Sequence, residues 1–474
     1  FRITAMDMVP SSNGAQIALV GHTRAYSPFG IQDRATVFIV DASDGSVVAT
    51  AGISGQPNDV MQSRYLDVEV FSFDGTEYIA CAGWHGDVGS ITSSRNGLLS
   101  LIEYTTTFGP LIDMGGATHY ESESMLPSGA TDWDAIGKVR YDPNHGLFLL
   151  GSATSNAASP MQSTSVSLIE LNGTLVWSTL LWDQVAPPNF HSVVGADMEF
   201  APNGDLVVLS NHTHDQCFSI SSLDVTDGSL NFDERFAQAT SGMGANTMLH
   251  AFDIEPFASN ELVIGGYMKD ATWLEGGVLH EGNVPFHAVV TIGETAVNSS
   301  DFYAHKTPSD EAGELVNDWA FAPFPSDHWQ PYFYHPEMLA LDLTTDLVLA
   351  GYRDTWLPEV FDLDVVPSTA DGASGACNTI PFTPSELGPS FVEAAGPEII
   401  SMYQVPGSYN IDPMADSLLM VDCGQIFTPY CDLPTIVSIT EDCLDVTAKA
   451  IGGTTPPLDI EYQWQWGDGT STSG

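Results

Sequence analysis

Short apolar runs recur along the chain, each ended by Gly or another small residue: Ile17–Gly21, Ile79–Gly83, Leu147–Gly151, Leu206–Ser210, Leu262–Gly266 and Leu347–Gly351, with a weaker seventh at Leu418–Asp422. Shortly before most of them lies a second run, as in Ala5–Val9, Leu66–Val70, Gly195–Phe200 and Ala251–Glu255. The two are joined by turn residues such as Ser12-Asn13-Gly14, Asp74-Gly75, Asp142–Gly146 and Pro202-Asn203-Gly204. A third run follows at Ala35–Val40, Leu98–Ile102, Ser165–Ile169, Cys217–Ser221, His287–Thr291 and Ile399–Tyr403. Asp41–Gly45, Asn172-Gly173 and Asp224–Gly228 then lead into a fourth.

Runs of this length, bounded by Gly, Asn and Asp, read as strands joined by hairpins, with turn chemistry where a positive φ is needed. No segment carries a helical period. The pattern predicts an all-β fold built from a repeated unit of four antiparallel strands. Such units set around an axis make a β-propeller, which leaves only short, protected sheet edges. Six blades are favoured over seven; the run at Leu418 is either a seventh blade or a closing strand. The propeller is expected over 1–427, a linker over 428–434 and a further domain over 435–474.

That last segment ends in Tyr462-Gln463-Trp464-Gln465-Trp466-Gly467-Asp468-Gly469-Thr470. It resembles the signature of polycystic-kidney-disease-type (PKD) immunoglobulin-like domains, an aromatic strand followed by Gly-Asp-Gly-Thr, with Trp466 where the usual pattern has Phe. The resemblance implies the first part of an Ig-like sandwich that continues beyond Gly474. The style of the repeats and the order of the domains are similar to those of large cell-surface proteins exported by the type IX system. This resemblance implies an extracellular or cell-surface address and roles in adhesion, gliding or matrix building, in some cases polymer degradation.

Composition narrows the functions. With 12 Lys+Arg against 61 Asp+Glu the formal net charge is −49, which excludes nucleic acid as a direct partner. Ten Trp, 15 Tyr and 23 Phe supply far more core than a disordered acidic chain holds. No apolar stretch is long enough to span a bilayer as a helix. The acidic surface suits a protein kept soluble at high ionic strength. Six cysteines without CxxC spacing argue against a zinc knuckle or redox motif. Cys431 with Cys443 and Cys377 with Cys423 are candidate pairs, and Cys81 reads as a buried thiol.

The links between second and third strands (22–34, 84–96, 152–164, 267–286 and 352–398) and between one unit and the next are long, and both sets emerge on one face. Long loops in a compact domain are where binding concentrates. Tyr26, Trp84, His85, His212, His214, Trp273, Tyr352, Arg353 and Trp356 fall there, and are the candidate ligand-binding residues for a glycan or a protein. His212 and His214 share one side of an extended chain, a weak metal signal. Asp41, Asp44, Asp224 and Asp227 offer oxygen ligands for Ca2+ or, the commoner role, cap tight turns. No other cofactor is called for. Asp7, Asp67, Asp197 and Asp253 in the first strands either line a central channel and bind a cation or accept backbone N–H groups of a neighbouring turn, the favoured role, with Lys138 near the same register. GxSxG, HExxH, Walker A and GxGxxG motifs are absent.

The expectation is therefore a non-catalytic propeller in a large secreted surface protein. It would serve adhesion, recognition or assembly of an extracellular appendage through its long-loop face, with a homo-oligomer as one form. The alternative is a secreted polysaccharide hydrolase or lyase using the channel mouth.

Overall fold

The computed structural model describes residues 2–10, 16–27, 30–43, 45–54, 61–87, 95–104, 117–124, 132–155, 162–181, 193–212, 217–241, 248–258, 261–275, 278–305, 338–342, 346–354, 361–369, 379–387, 400–404, 410–413, 435–442, 445–451, 463–465 and 471–473. Among these the fold is all-β. Unit one is β1 (Arg2–Met8), β2 (Gln16–Ser27), β3 (Gly30–Asp41) and β4 (Val47–Ser54). Unit two is β5 (Met61–Phe73), β6 (Thr76–Asp87), β7 (Arg95–Tyr104) and β8 (Ala117–Ser124). Unit three is β9 (Asp132–Asp142), β10 (Gly146–Ser155), β11 (Gln162–Ile169) and β12 (Leu175–Leu181). Unit four is β13 (Val193–Phe200), β14 (Leu206–His212), β15 (Cys217–Leu223) and β16 (Leu230–Ser241). Unit five is β17 (Met248–Ala258), β18 (Glu261–Glu275), β19 (Val278–Ile292) and β20 (Val297–His305). Unit six has three described strands, β21 (Met338–Asp342), β22 (Asp346–Asp354) and β23 (Phe361–Thr369). Within each unit, consecutive strands pair antiparallel.

Three later strands join outer edges. β24 (Thr379–Leu387) pairs with both β16 and β20, β25 (Ile400–Gln404) with β8, and β26 (Asn410–Pro413) with β4. Two hairpins stand apart as their own sheets, β27 (Thr435–Asp442) with β28 (Asp445–Ile451), and β29 (Gln463–Gln465) with β30 (Ser471–Ser473). No helix among the described residues is long and apolar enough to cross a membrane.

The four-residue apolar runs have a physical cause. Successive strand residues face opposite ways, and the second strands of units two to four are covered on both faces. Ile79 and Cys81 enter the core shared with unit one, while Ala80 and Ala82 enter the core shared with unit three. Leu147 and Leu149 face unit two; Phe148 and Leu150 face unit four. Leu206 and Val208 face unit three; Val207 and Leu209 face unit five. The unit four–five core is the richest in aromatics: Phe218 packs against Phe236, Phe286 and Phe302 at ring-centroid distances of 5.4, 6.0 and 6.4 Å. Truncating a ring so enclosed costs about 3–5 kcal/mol.

The small residue that ends each run is explained by a bulge in the first strand. The register shifts past Thr4, Leu66, Gly137, Ala196 and Phe252, the same position in five units. The bulge presses a first-strand carbonyl onto the second strand. A Cβ at Gly83 would lie 2.0 Å from the Arg64 carbonyl oxygen, and one at Gly266 would lie 2.2 Å from that of His250. In the hairpins, Asp74 and Gly75 take φ of 50° and 77°, as a two-residue turn between twisted strands requires.

Two expectations are corrected. Residues 22–34 and 267–286 are mostly not loop: β2 and β3 pair as far as Ser27↔Gly30, and β18 and β19 as far as Glu275↔Val278. Polar side chains on both arms hid these extensions. The third strand of unit six is β23, beside β22, whereas Ile400–Gln404 joins the edge of unit two. Asp362 and Asp364 broke the apolar run that would have marked β23. The seventh run at Leu418 and both candidate cysteine pairs lie outside the described residues.

Candidate functional site

The first strands come together in order: β1 lies against β5, β5 against β9, β9 against β13, β13 against β17 and β17 against β21. β1, β5, β13 and β17 are edges of their sheets, and β9 makes only one parallel bridge to β7, Arg95↔Trp133, so most outward N–H groups of the first strands lack a ladder partner. Carboxylates supply one. Asp7 Oδ2 accepts from Val70 N at 2.6 Å, Asp67 Oδ2 from Val139 N at 2.8 Å and Asp197 Oδ2 from Ile254 N at 3.2 Å. Each bond runs from one unit to the next, and a hydrogen bond to a charged group is worth about 1.5–3 kcal/mol. Asp7, Asp67 and Asp197 do accept backbone N–H groups, but the donors are first-strand residues of another unit, not the neighbouring turn expected.

Counted from the bulge, units two, four and five carry the same alternation on β5, β13 and β17: Asp67-Val68-Glu69, Asp197-Met198-Glu199 and Asp253-Ile254-Glu255. Unit three places Lys138-Val139-Arg140 in that register on β9. Its two cations reach both neighbours. Arg140 Nη1 meets Asp67 Oδ2 at 3.2 Å, Nη2 meets Asp197 Oδ1 at 3.2 Å and Nε meets Glu199 Oε2 at 3.3 Å. Lys138 Nζ lies 3.6 Å from Asp197 Oδ1 and 4.0 Å from Asp67 Oδ1.

Burial and crowding divide the acids into two kinds. Burial favours the neutral form of Asp197, but Lys138 and Arg140 outweigh it and hold the carboxyl below its ordinary range. Its hydrogen-bonded neighbour Asp253 is pushed the other way, by burial and by the Asp197 charge. Burial raises Glu69 to about 8, and burial with Glu199 and Asp197 raises Glu255 to about 7. Burial lifts Asp7 and Glu199 as well. The cluster therefore holds ionised Asp197 against two cations, while burial and the Asp197 charge favour the protonated form of Asp253 and burial keeps a proton on much of Glu69 at neutral pH.

A second buried pair lies nearer the hairpin ends, between units one and two. Arg64 Nε donates to Asp33 Oδ2 at 2.9 Å, and the guanidinium carbon stands 5.5 Å from the Trp84 ring centroid. His22 Nε2 lies 3.9 Å from the same carboxylate. Ser63 Oγ accepts the Ala35 N–H at 3.0 Å beside it.

The seven described candidate ligand residues are dispersed. Trp84 and His85 sit in β6 and His212 ends β14, all three buried. His212 Nε2 pairs with Ser219 Oγ at 3.0 Å. Tyr26 pairs with Ile31 in the β2–β3 hairpin, Trp273 with His280, Tyr352 with Leu363 and Arg353 with Asp362. His214 and Trp356 lie outside the described residues. The structure brings Trp84 to Arg64 and spreads the other described candidates over five strands, with His85 next to Trp84 on β6 and Tyr352 next to Arg353 on β22. Asp41 Oδ1 accepts from Ser43 N and Oγ at 2.8 and 2.6 Å, and Asp224 Oδ1 from Thr226 N and Oγ1 at the same distances. Asp227 Oδ1 accepts from Ser229 N at 2.9 Å; Asp44 lies outside the described residues. These are turn caps. Among the described residues no group of three or more His, Cys, Asp or Glu is placed to hold a metal ion.

Sequence reasoning missed Arg140, Asp33 and Arg64. Arg140 had a signal: Lys-Val-Arg stands in the register of Asp-x-Glu. Asp33 and Arg64 had none, since their pairing depends on which sheets adjoin. No protein-family model matches the chain, and no curated protein sequence matches it.

Proposed function

We propose that residues 1–427 form a six-bladed β-propeller without catalytic activity, in a large secreted surface protein of the type IX-exported kind, followed by the start of a PKD-like domain at 435–474. It serves adhesion, recognition or assembly of an extracellular appendage. The observation that carries this reading is the run of first strands, each against the next. Their carboxylates are engaged by neighbouring N–H groups and by Lys138 and Arg140. Charges so committed hold a scaffold together and are poorly placed for proton transfer to a substrate. The hairpins opposite the tight turns, where Tyr26 and Trp273 sit, are the supported face for a glycan or protein partner.

The test pairs binding with turnover. Purified chain is incubated with insoluble polysaccharides and with intact cells of its source, scoring saturable retention, release of reducing ends and release of unsaturated sugars. Retention without either product is expected. Release of either product, abolished in His212→Ala, would replace this reading with the polysaccharide-active enzyme.

A further inference from the structure

Strand β24 is added to two units that each have four strands without it, and it changes partner halfway along. Thr379–Phe382 pair with the outer strand of unit five, from His305↔Thr379 to Phe302↔Phe382. Thr383–Leu387 pair with the outer strand of unit four, from Ser241↔Thr383 to Arg235↔Leu387. The crossing point is Phe382. It is 5% exposed and belongs to the unit four–five core, its ring centroid 5.3 Å from that of Phe302 and 6.0 Å, edge-on, from that of Phe286. Thr383 is exposed, and Pro384 is buried again.

This strand is held as a bound peptide is held. Inside unit four, β14 and β15 pair at seven consecutive positions. β24 pairs at four positions on one side and five on the other, and the five are broken by two register shifts. Pro381 and Pro384 bring no N–H to either edge. An aromatic anchor in a pocket, flanked by short stretches of backbone pairing, is how an extended segment binds at a sheet edge. Slot and strand are also separate in the chain, since the whole of unit six stands between β20 and β24.

Every copy of the chain therefore carries the slot and a segment that fits it. The same groups meet whichever copy supplies the strand, so exchange between copies gives up no contact; what changes is the local concentration that the tether supplies. The tethers to β23 and β25 are residues 370–378 and 388–399, long enough to reach at most about 30 and about 40 Å. A second copy packed alongside lies within that reach.

We propose that the slot between β16 and β20 is a strand-binding site whose partner is a second copy of this chain, supplying residues 379–387 with Phe382 as the anchor. Slot and strand are different surfaces, so one copy gives its strand to a second and takes one from a third, which builds an open row. The inference goes beyond the reading above, which seats partners on the hairpins. It uses units four and five alone and does not depend on how a ring closes.

The test uses the full chain with a cysteine added at a paired position. His305 and Thr379 stand opposite each other across β20 and β24, within the span of a disulfide. His305→Cys and Thr379→Cys chains are mixed under oxidising conditions, from micromolar to near-millimolar chain, and the bonded peptides are mapped. A 305–379 bond between chains is expected, with a yield that rises with concentration. Synthetic peptide 379–387 should suppress it, and the same peptide with Phe382→Ala should need about tenfold more or higher. The double variant, with both cysteines in one chain, shows that the pair can bridge. An intrachain bond in the double variant, with none between the mixed single variants at any concentration, would make β24 a fixed internal brace and overturn the proposal. No bond in either would take β24 out of the slot and overturn it as well. An interchain bond that both peptides suppress equally would overturn it too, because the slot would not be recognising the anchor. Turnover on polysaccharide is a separate readout, so failure here leaves the non-catalytic reading standing.

Discussion

Two buried arginines tie neighbouring units together, and they do so differently. Arg64 on β5 reaches back to Asp33 on β3, with Trp84 beside it, within the one–two junction. Arg140 on β9 reaches Asp67 in unit two and Asp197 and Glu199 in unit four, so it spans two junctions at once. The first is a single ion pair with His22 and Trp84 beside it. The second is a hub in a cluster where acids outnumber bases. A buried ion pair gives little net stability over an apolar replacement, but removing one partner leaves a buried charge. How much is lost should therefore scale with the number of carboxylates left behind.

Arg140→Met breaks the comparison hardest. It strips the guanidinium from three carboxylates and should cost about 3–5 kcal/mol at pH 7. Chemical denaturation at pH 7 and pH 5 checks this. The deficit should shrink at pH 5, where the acids left without a counter-charge take up protons. An equal deficit at both pH values would mean that Arg140 acts by packing alone. Arg64→Met should cost less, about 2 kcal/mol, because only the Asp33 charge is stranded by the loss of that bond. Adding Asp33→Leu should recover most of the loss, and a double-mutant cycle over the four proteins measures the coupling.

The contrast also shows what a sequence reveals. The second strands were legible because burial on both faces leaves an uninterrupted apolar run, Leu206–Leu209 being the clearest. The hairpins were legible because Gly75, Gly173, Gly204 and Gly228 take positive φ, which restricts residue choice. The pairing of Arg64 with Asp33 was not, since 31 residues separate them and nothing local marks the contact. Arg140 is half legible: Lys138 stands in the aspartate register, and Arg140 two residues on takes the place that Glu69 and Glu199 hold in their units. The extended β2–β3 and β18–β19 hairpins were hidden because strands that run past the core lose their apolar alternation.

Glu69→Gln sharpens the comparison from the acid side. Burial raises the folded pKa of Glu69 to about 8 against an ordinary 4.5, so the fold prefers the protonated form. Stability from this group is full below the ordinary value and is lost as pH rises toward 8. Glu255, raised to about 7, acts in the same sense. Asp197 acts in the opposite sense: its depressed carboxyl stabilises above the ordinary value and loses that contribution as pH falls through its folded pKa. The stability optimum should thus lie at mildly acidic pH. Glu69→Gln, which fixes the neutral form, should gain little at pH 4, on the order of 1 kcal/mol between pH 5 and 6, and more at pH 8. Thermal melts from pH 4 to 9 read both; a gain that is the same at every pH would sink the titration argument.

The smallest effect is the most specific. Asp197 and Asp253 are hydrogen-bonded neighbours on adjacent first strands, yet their environments push them apart. Asp197 faces both cations of unit three and stays ionised. Asp253, buried against that charge, is driven toward the protonated form, the one that can donate to Asp197. Asparagine copies a protonated aspartate in shape and retains a donor, so Asp253→Asn should change stability at pH 7 by less than about 0.5 kcal/mol, as for a substitution that breaks no network. The same change at Asp197 removes the charge that Lys138 and Arg140 were set against, and should cost about 3 kcal/mol. Urea denaturation of the two single variants decides it. Equal losses would mean that the proton is shared evenly; a larger loss at Asp253 would reverse the assignment and move the hub of the cluster from unit four to unit five.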